Sequence, residues 1–482
     1  DYLLEMSLTL PVDDALELWT LKIYNSSTES KKVSLYPYFP VGYMSWMNQS
    51  GKYEPELQAI VCTSISPYQK YEDYAKIKEL KDKTFLIAEH KPTSWEVNQA
   101  SFEGEGGLHH PTGLQHDFLQ RGQASYEPPA CVFQYQLELE AEQSSTLRFI
   151  FGPAKHEDDI KEIRKKYFLE KNLQGMDGFQ TAGKLYQEYI EKGEGCFQIK
   201  TPDPLLQNFV NHWLPRQVYY HGESNRLSTD PQTRNYLQDN MGMSYIKPES
   251  AGNAFITALS QQKLNGEMPD GILLYEDAEL KYINQVPHSD HCVWLPICLK
   301  AYLDETNDYD LLSKQVPFAN SSGISTLSGH ISGAMDWLLK NRDQRGLSYI
   351  DQGDWNDPMN MVGYKGKGVS GWLTMATSYA LQIWADIIEN NQNLTGANGF
   401  RAAAAEMNDA INKHLWDGSW YARGITDNNK LFGTKDDKEG RIFLNTQSWA
   451  LLCGCADKLQ TKALIKAVEE QLETPYGVEL VA

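Results

Sequence analysis

SSTLRFIFGPAKHEDDIKEIRKKYFLEKN, residues 144–172, is where the chain changes character. Its first half is β-branched and aromatic and is broken by Gly and Pro. Its second half opens on acidic residues and then spaces apolar residues at helical intervals. A strand therefore ends, and a helix begins, near Lys155. Upstream lie LELWTLKIYNSS, KKVSLYPYFPVGY, LQAIVCTSI, KTFLIAEH and ACVFQYQLELEAE. They are short and partly alternating, with turn clusters such as NSSTES and EGEGG between them. Repeated strands without intervening helices predict an N-terminal antiparallel β-sandwich over residues 1–155.

Downstream, HEDDIKEIRKKYFLEKN and FQTAGKLYQEYIEKG predict a helical linker over residues 156–200. From Pro202 the pattern is helical almost throughout, with eight candidate helices between LLQNFVNHWLPRQVYYH and TKALIKAVEEQL. Long loops rich in Gly, Asp, Asn, Trp and Pro alternate with them. Paired helices with loops of this kind at one end suit an α/α toroid over residues 201–482. Both termini read as internal: DYLLEMSLTL looks like the middle of a strand, and TPYGVELVA has no tail character. The chain is therefore expected to be a piece of a longer polypeptide.

Composition narrows the function. Across 482 residues, 44 Lys and Arg face 64 Asp and Glu, a formal charge of −20. Such a surface repels nucleic-acid phosphates and anionic lipid, so neither partner is expected. The one dense basic stretch, KEIRKK at 161–166, follows HEDD and reads as a solvated helix face. No apolar run approaches the roughly 20 residues that span a bilayer. Seven cysteines are too few for a disulfide scaffold, and Cys453 and Cys455 in SWALLCGCAD suit two buried thiols. The sequons at Asn25, Asn48 and Asn393 carry little weight without secretion, so the expected compartment is the cytoplasm.

Chemistry concentrates in YIDQGDWNDPMNMVGYKGKGVSGW, residues 349–372. Asp351, Asp354 and Asp357 surround Trp355 there. An indole face packs the apolar side of a sugar ring, while carboxylates bind hydroxyls or deliver protons. Burial and a like-charged neighbour would raise one carboxyl toward the range a general acid needs. The plain alternative is an Asp-rich loop capping the helix that follows. A second cluster, NRLSTDPQTRNYLQD at 225–239, holds Arg226, Arg234, Asp230 and Asp239. Its arginines can fork onto phosphate or hydroxyls, or can form surface ion pairs. His288 and His291, in HSDH, lack a convincingly spaced third ligand. No metal is expected there.

These motifs resemble, in order, the signatures of the inverting disaccharide phosphorylases of glycoside hydrolase family ninety-four. GDWND (353–357) is similar to that family's central signature, and TRNYLQD (233–239) to its F-R-D-x-x-Q-D segment. HSDHCVWLPICLKAYLDETND (288–308) resembles S-D-D-H-L-W-L-P…E-T-G-D. IFLNTQSWALLCGCAD (442–457) with ETPYGVEL (473–480) resembles I-F-L-N-P-Q-S-W-A…T-x-Y-G. The resemblance implies a β-sandwich, a helical linker and an (α/α)6 barrel that is truncated here at its C-terminal end. It implies Asp357 as general acid, with Trp355, Asp239 and Arg234 at the donor subsite. By the same resemblance Arg234 would bind at that subsite or near the phosphate, Arg226 is a weaker substrate-binding candidate, and Asp354 completes the set. The family's remaining phosphate ligands fall beyond residue 482. Asn235 and Pro358 depart from the family's usual Asp and Gly.

The implied reaction is reversible, inverting phosphorolysis of a β-glucosyl disaccharide. Inorganic phosphate is the co-substrate and no other cofactor is needed. The signature looks most like the branch that converts cellobionic acid and phosphate to α-glucose 1-phosphate and gluconic acid. Alternatives are cellobiose or another β-glucoside as substrate, or an inverting (α/α)6 hydrolase. Phosphate as nucleophile dispenses with the second carboxylate that an inverting hydrolase needs to activate water. The family also implies a homodimer.

Overall fold

The computed structural model describes residues 2–42, 49–64, 82–192, 198–276, 278–281, 285–356 and 359–482. The sequon at Asn48, the general-acid candidate Asp357 and the neighbouring Pro358 lie outside the described residues. The chain divides into two compact units, Asp1–Lys192 and Gly193–Ala482.

Among the described residues, the first unit is built on two antiparallel sheets. The strands are β1 (Tyr2–Thr9), β2 (Glu17–Asn25), β3 (Lys31–Leu35), β4 (Tyr38–Pro40), β5 (Ser50–Glu54) and β6 (Ala59–Ser64). They continue as β7 (Asp82–Ala88), β8 (Ser94–Asn98), β9 (Ala124–Ser125), β10 (Pro129–Leu139) and β11 (Ser144–Ala154). One sheet runs β1-β2-β11-β7-β6-β5-β9, and in the other β10 pairs with β3, β4 and β8. Successive residues of a strand point to opposite faces. Ile60, Cys62, Leu86 and Ala88 therefore meet Phe133 and Tyr135 between the sheets. Ala59, Val61, Phe85 and Ile87 point the other way, onto Ile160, Tyr167 and Phe179. Burial on both faces is why AIVC in β6 is an unbroken apolar run.

Those last three side chains come from the segment expected to be a linker. Its helices, Glu157–Arg164 and Gly178–Lys192, belong to the first compact unit and cover the outer face of the larger sheet. Arg148 fastens this layer, pairing with Glu89 on the sheet side and with Asp177 at 2.7 Å ahead of the second helix. EGEGG, expected as a plain turn, lies largely in a short 3₁₀ segment, Gly104–His109, interrupted at Gly107 where φ is 54°.

The second unit is mainly helical. All eight segments expected to be helical are so, including Trp294–Thr306, Leu327–Lys340, Gly371–Asn390, Leu394–His414 and Leu444–Leu452. Among the described residues, no helix is long and apolar enough to cross a membrane. The helix Thr233–Met243 was not anticipated, because its buried side includes Thr233, Arg234 and Asn240. The hairpin Gln315–Phe318/Ser321–Thr326 and a three-stranded patch were also missed. The patch joins Val369–Ser370, Gly424–Ile425 and Leu431–Phe432, two-residue strands too short to carry a pattern.

Gly371–Asn390 is apolar nearly all round and is buried along most of its length. Ser370 caps it, accepting a hydrogen bond from the Leu373 amide at 2.9 Å. Gly371 starts it because the chain passes too close for a side chain. A Cβ there would sit 2.7 Å from the Ala422 carbonyl oxygen and 3.0 Å from that of Arg423. The Gly371 amide donates to the Arg423 carbonyl at 2.8 Å. This close approach fixes where Arg423 stands. Gly371→Ala is expected to cost about 1–3 kcal/mol by forcing these backbones apart, measured as a fall in urea midpoint against the parent chain.

Candidate active site

The site is assembled on residue 354. Asp354 is fully buried, and so is Arg423. The Arg423 Nη2 donates to both Asp354 carboxylate oxygens at 2.7 Å and to the Asn356 Oδ1 at 3.3 Å. Its Nη1 donates to the Ser370 hydroxyl at 3.0 Å, and that hydroxyl donates to the Asp354 Oδ2 at 2.5 Å. Asp354 also accepts from the Asn356 amide at 2.9 Å, closing a tight turn around Trp355. Asn445 adds a hydrogen bond from its Nδ2 to the Asn356 Oδ1 at 2.8 Å.

A second guanidinium grips the same residue by its main chain. Arg234 is 4% exposed. Its Nη1 donates to the Asp354 carbonyl at 2.9 Å and to the Asp290 carboxylate at 3.2 and 3.3 Å. Asp290 also accepts from the Trp294 indole at 3.0 Å. Two buried arginines thus meet two buried aspartates, which is how low-dielectric surroundings hold four charges. The HSDH loop lies alongside: the Ser289 amide donates to the Gly353 carbonyl at 3.1 Å.

Trp355 remains 39% exposed. Its ring centroid is 6.0 Å from that of buried Trp372, which in turn meets Trp449 at 5.4 Å and Trp294 at 6.3 Å. The exposed indole is therefore the outer member of an aromatic cluster, a rigid platform of the kind that stacks on sugar rings. Asp351 is half-buried, and desolvation raises its pKa above the ordinary carboxylate value.

Arg226 and Asp239 form their own bidentate pair, at 2.8 and 2.6 Å. Asn225, Arg226 and Leu227 all have positive φ, at 48°, 53° and 58°. Three consecutive side-chain-bearing residues in that region mark a strained turn.

The fold supplies a third residue to His288 and His291, namely Asp270 from GEMPDGI. The three ligand-type atoms lie within 4.8 Å of one another. The His291 Nε2 is 2.7 Å from the Asp270 Oδ1, and the His288 amide donates to that oxygen at 3.0 Å. The Asp270 carbonyl accepts from the Thr233 amide at 2.8 Å, tying the cluster to the start of the Arg234 helix.

The structure thus unites Arg234 and Asp354, pairs Arg226 with Asp239, and sets Trp355 on an aromatic stack. Sequence reasoning missed Arg423, Asp290, Asp270, Ser370 and Asn445. One signal was available for Arg423: it is the lone charge in SWYARGI. Cys453 and Cys455 are both buried, as expected.

The fold of the chain has a counterpart among solved structures. It matches the crystal structure of a bacterial glucoamylase complexed with acarbose at TM-score 0.55 and 11% identity, a likeness of fold alone. The match covers 99% of this chain and 67% of that one. The "Glycosyl hydrolase 94, supersandwich domain" model matches residues 2–169, and "Glycosyl hydrolase 94 superfamily, catalytic domain" matches residues 189–482. The chain belongs to the glycosyl hydrolase 94 family. It is 54% identical to cellobionic acid phosphorylase of Neurospora crassa over 99% of its own length and 59% of that protein. A 3-O-beta-D-glucopyranosyl-beta-D-glucuronide phosphorylase of Paenibacillus borealis is 29% identical over 96% of this chain, again with 59% of the relative covered. The chain therefore spans 59% of the length of these curated relatives.

The Asp270 cluster has a pH signature. Burial alone would raise the Asp270 pKa, but hydrogen bonds from His288 and His291 prevail and hold it at about 2. A depressed carboxyl stabilises the fold above its unfolded pKa and loses that contribution as pH falls through its folded value. Asp270→Asn is expected to lower the urea midpoint at pH 7 and to flatten its decline between about pH 4 and pH 2.

Proposed function

We propose that the full-length protein is an inverting disaccharide phosphorylase. It converts cellobionic acid and inorganic phosphate to α-glucose 1-phosphate and gluconic acid. The 54% identity to a cellobionic acid phosphorylase, which runs through both compact units, carries this reading. Other β-glucosides, cellobiose first, are the alternative substrates.

In this mechanism Asp357 protonates the glycosidic oxygen as general acid. The phosphate dianion attacks the anomeric carbon from the opposite face, so the configuration inverts. Trp355, with its exposed indole, stacks on the glucosyl ring. Asp239 accepts from donor-ring hydroxyls, with Arg226 as its paired neighbour. Arg234 serves the donor and phosphate side chiefly by orienting the residue-354 carbonyl. Asp354 spends both carboxylate oxygens on Arg423, so its part is to hold the loop rather than to touch sugar.

The same reading makes residues 201–482 most of an (α/α)6 barrel, preceded by the sandwich at 1–155 and the helical segment at 156–200. The phosphate site is completed by residues beyond 482. The protein works as a cytoplasmic homodimer, with no metal or organic cofactor.

The test incubates full-length protein with cellobionic acid, with and without phosphate, and assays glucose 1-phosphate and gluconic acid. Phosphate-dependent release is expected, and Asp357→Asn should slow it about 10²–10⁴-fold. Free glucose released without phosphate would move the assignment to a hydrolase. Product from cellobiose alone would replace the acceptor and keep the mechanism.

A further inference from the structure

Arg423 follows Trp420, Tyr421 and Ala422 in a buried stretch where a charge is costly to place. Stability alone does not call for an arginine here, because well-packed apolar residues often replace a buried ion pair without loss. Its hydrogen bonds give a better reason. The guanidinium donates to both oxygens of Asp354, to Asn356 and to Ser370. Asp354 and Asn356 are the two neighbours of Trp355, and Asn356 leads directly into Asp357.

The backbone behind the guanidinium is itself anchored. The Arg423 carbonyl accepts from the Gly371 amide at 2.8 Å, and its amide donates to the Phe432 carbonyl at 2.9 Å. The first bond ties it to the start of Gly371–Asn390, a deeply buried helix. A planar fork on a fixed base holds an orientation that a flexible ammonium does not.

We propose that Arg423 is a positioning residue for the reaction. Through Asp354 and Asn356 it sets the angle of the Trp355 platform and fixes the chain at Asn356, the residue next in sequence to the general acid. This rests on the phosphorylase reading above. Arg423 touches no reacting atom itself. Misplacing a loop by about 1 Å can cost about 100-fold in rate.

The test uses the full-length protein and two readouts. The first is kinetics of Arg423→Lys, which keeps the charge and loses the fork. It is expected to lower kcat about 100-fold while the KM for phosphate changes by less than about twofold. The second is hydrogen exchange, which needs no substrate. Peptides covering residues 350–356 should lose protection in Arg423→Lys, while those within 371–390 keep theirs. If the Lys variant does not fold, Arg423→Gln combined with Asp354→Asn removes both buried charges and carries the same two measurements.

A folded variant with parental kcat overturns the proposal, as does unchanged protection of the loop. A parent enzyme that releases no glucose 1-phosphate overturns the phosphorylase reading instead. The exchange result separates the two failures.

Discussion

Arg423 and Asp354 are both sealed from water, and neither tolerates the loss of the other. Breaking such a pair by removing one partner costs about 3–5 kcal/mol, because a bare charge is left in a low dielectric. That constraint organises what surrounds it. Gly371 lacks a side chain so that the Arg423 strand can come close, and Ser370 both caps the following helix and completes the ion pair. Asn356 and Asn445 extend the network toward the exposed indole. From the other side Arg234 takes the Asp354 carbonyl, with Asp290 balancing its charge. One residue is therefore fixed through both its side chain and its main chain.

The aromatic stack complements that polar clamp. Trp372 and Trp449 are core residues in packing, but together they also back Trp355. A flat surface held from behind loses little entropy when a sugar ring lies on it. Rigid support beneath an exposed indole is what the buried helix Gly371–Asn390 contributes, and it suits the proposed stacking on a sugar ring.

Much of this was legible in the sequence. The switch from period two to period 3.6 near Lys155 located the end of the sheets, and the helical segments beyond it carried apolar spacing. The Thr233–Met243 helix escaped because Arg234 and Asn240 sit where a periodic pattern expects apolar residues. They are buried to make polar contacts, which overrode the usual apolar signal. GDWND drew attention to Asp354 and Trp355 by residue type. Their physical roles depend on Arg423, sixty-nine residues further on, and no local pattern encodes that distance. Asp270 was invisible for the same reason, since the fold alone brings it to His288 and His291.

If both arginines hold residue 354, their contributions are coupled although they reach it from different elements. A double-mutant cycle on Arg234→Gln and Arg423→Gln, read as unfolding free energy, tests this directly. The expected result is a coupling energy of about 1–2 kcal/mol, since releasing one grip weakens the other. Additivity within about 0.3–0.5 kcal/mol would mean that the arginines act independently, and the common clamp on residue 354 would be contradicted.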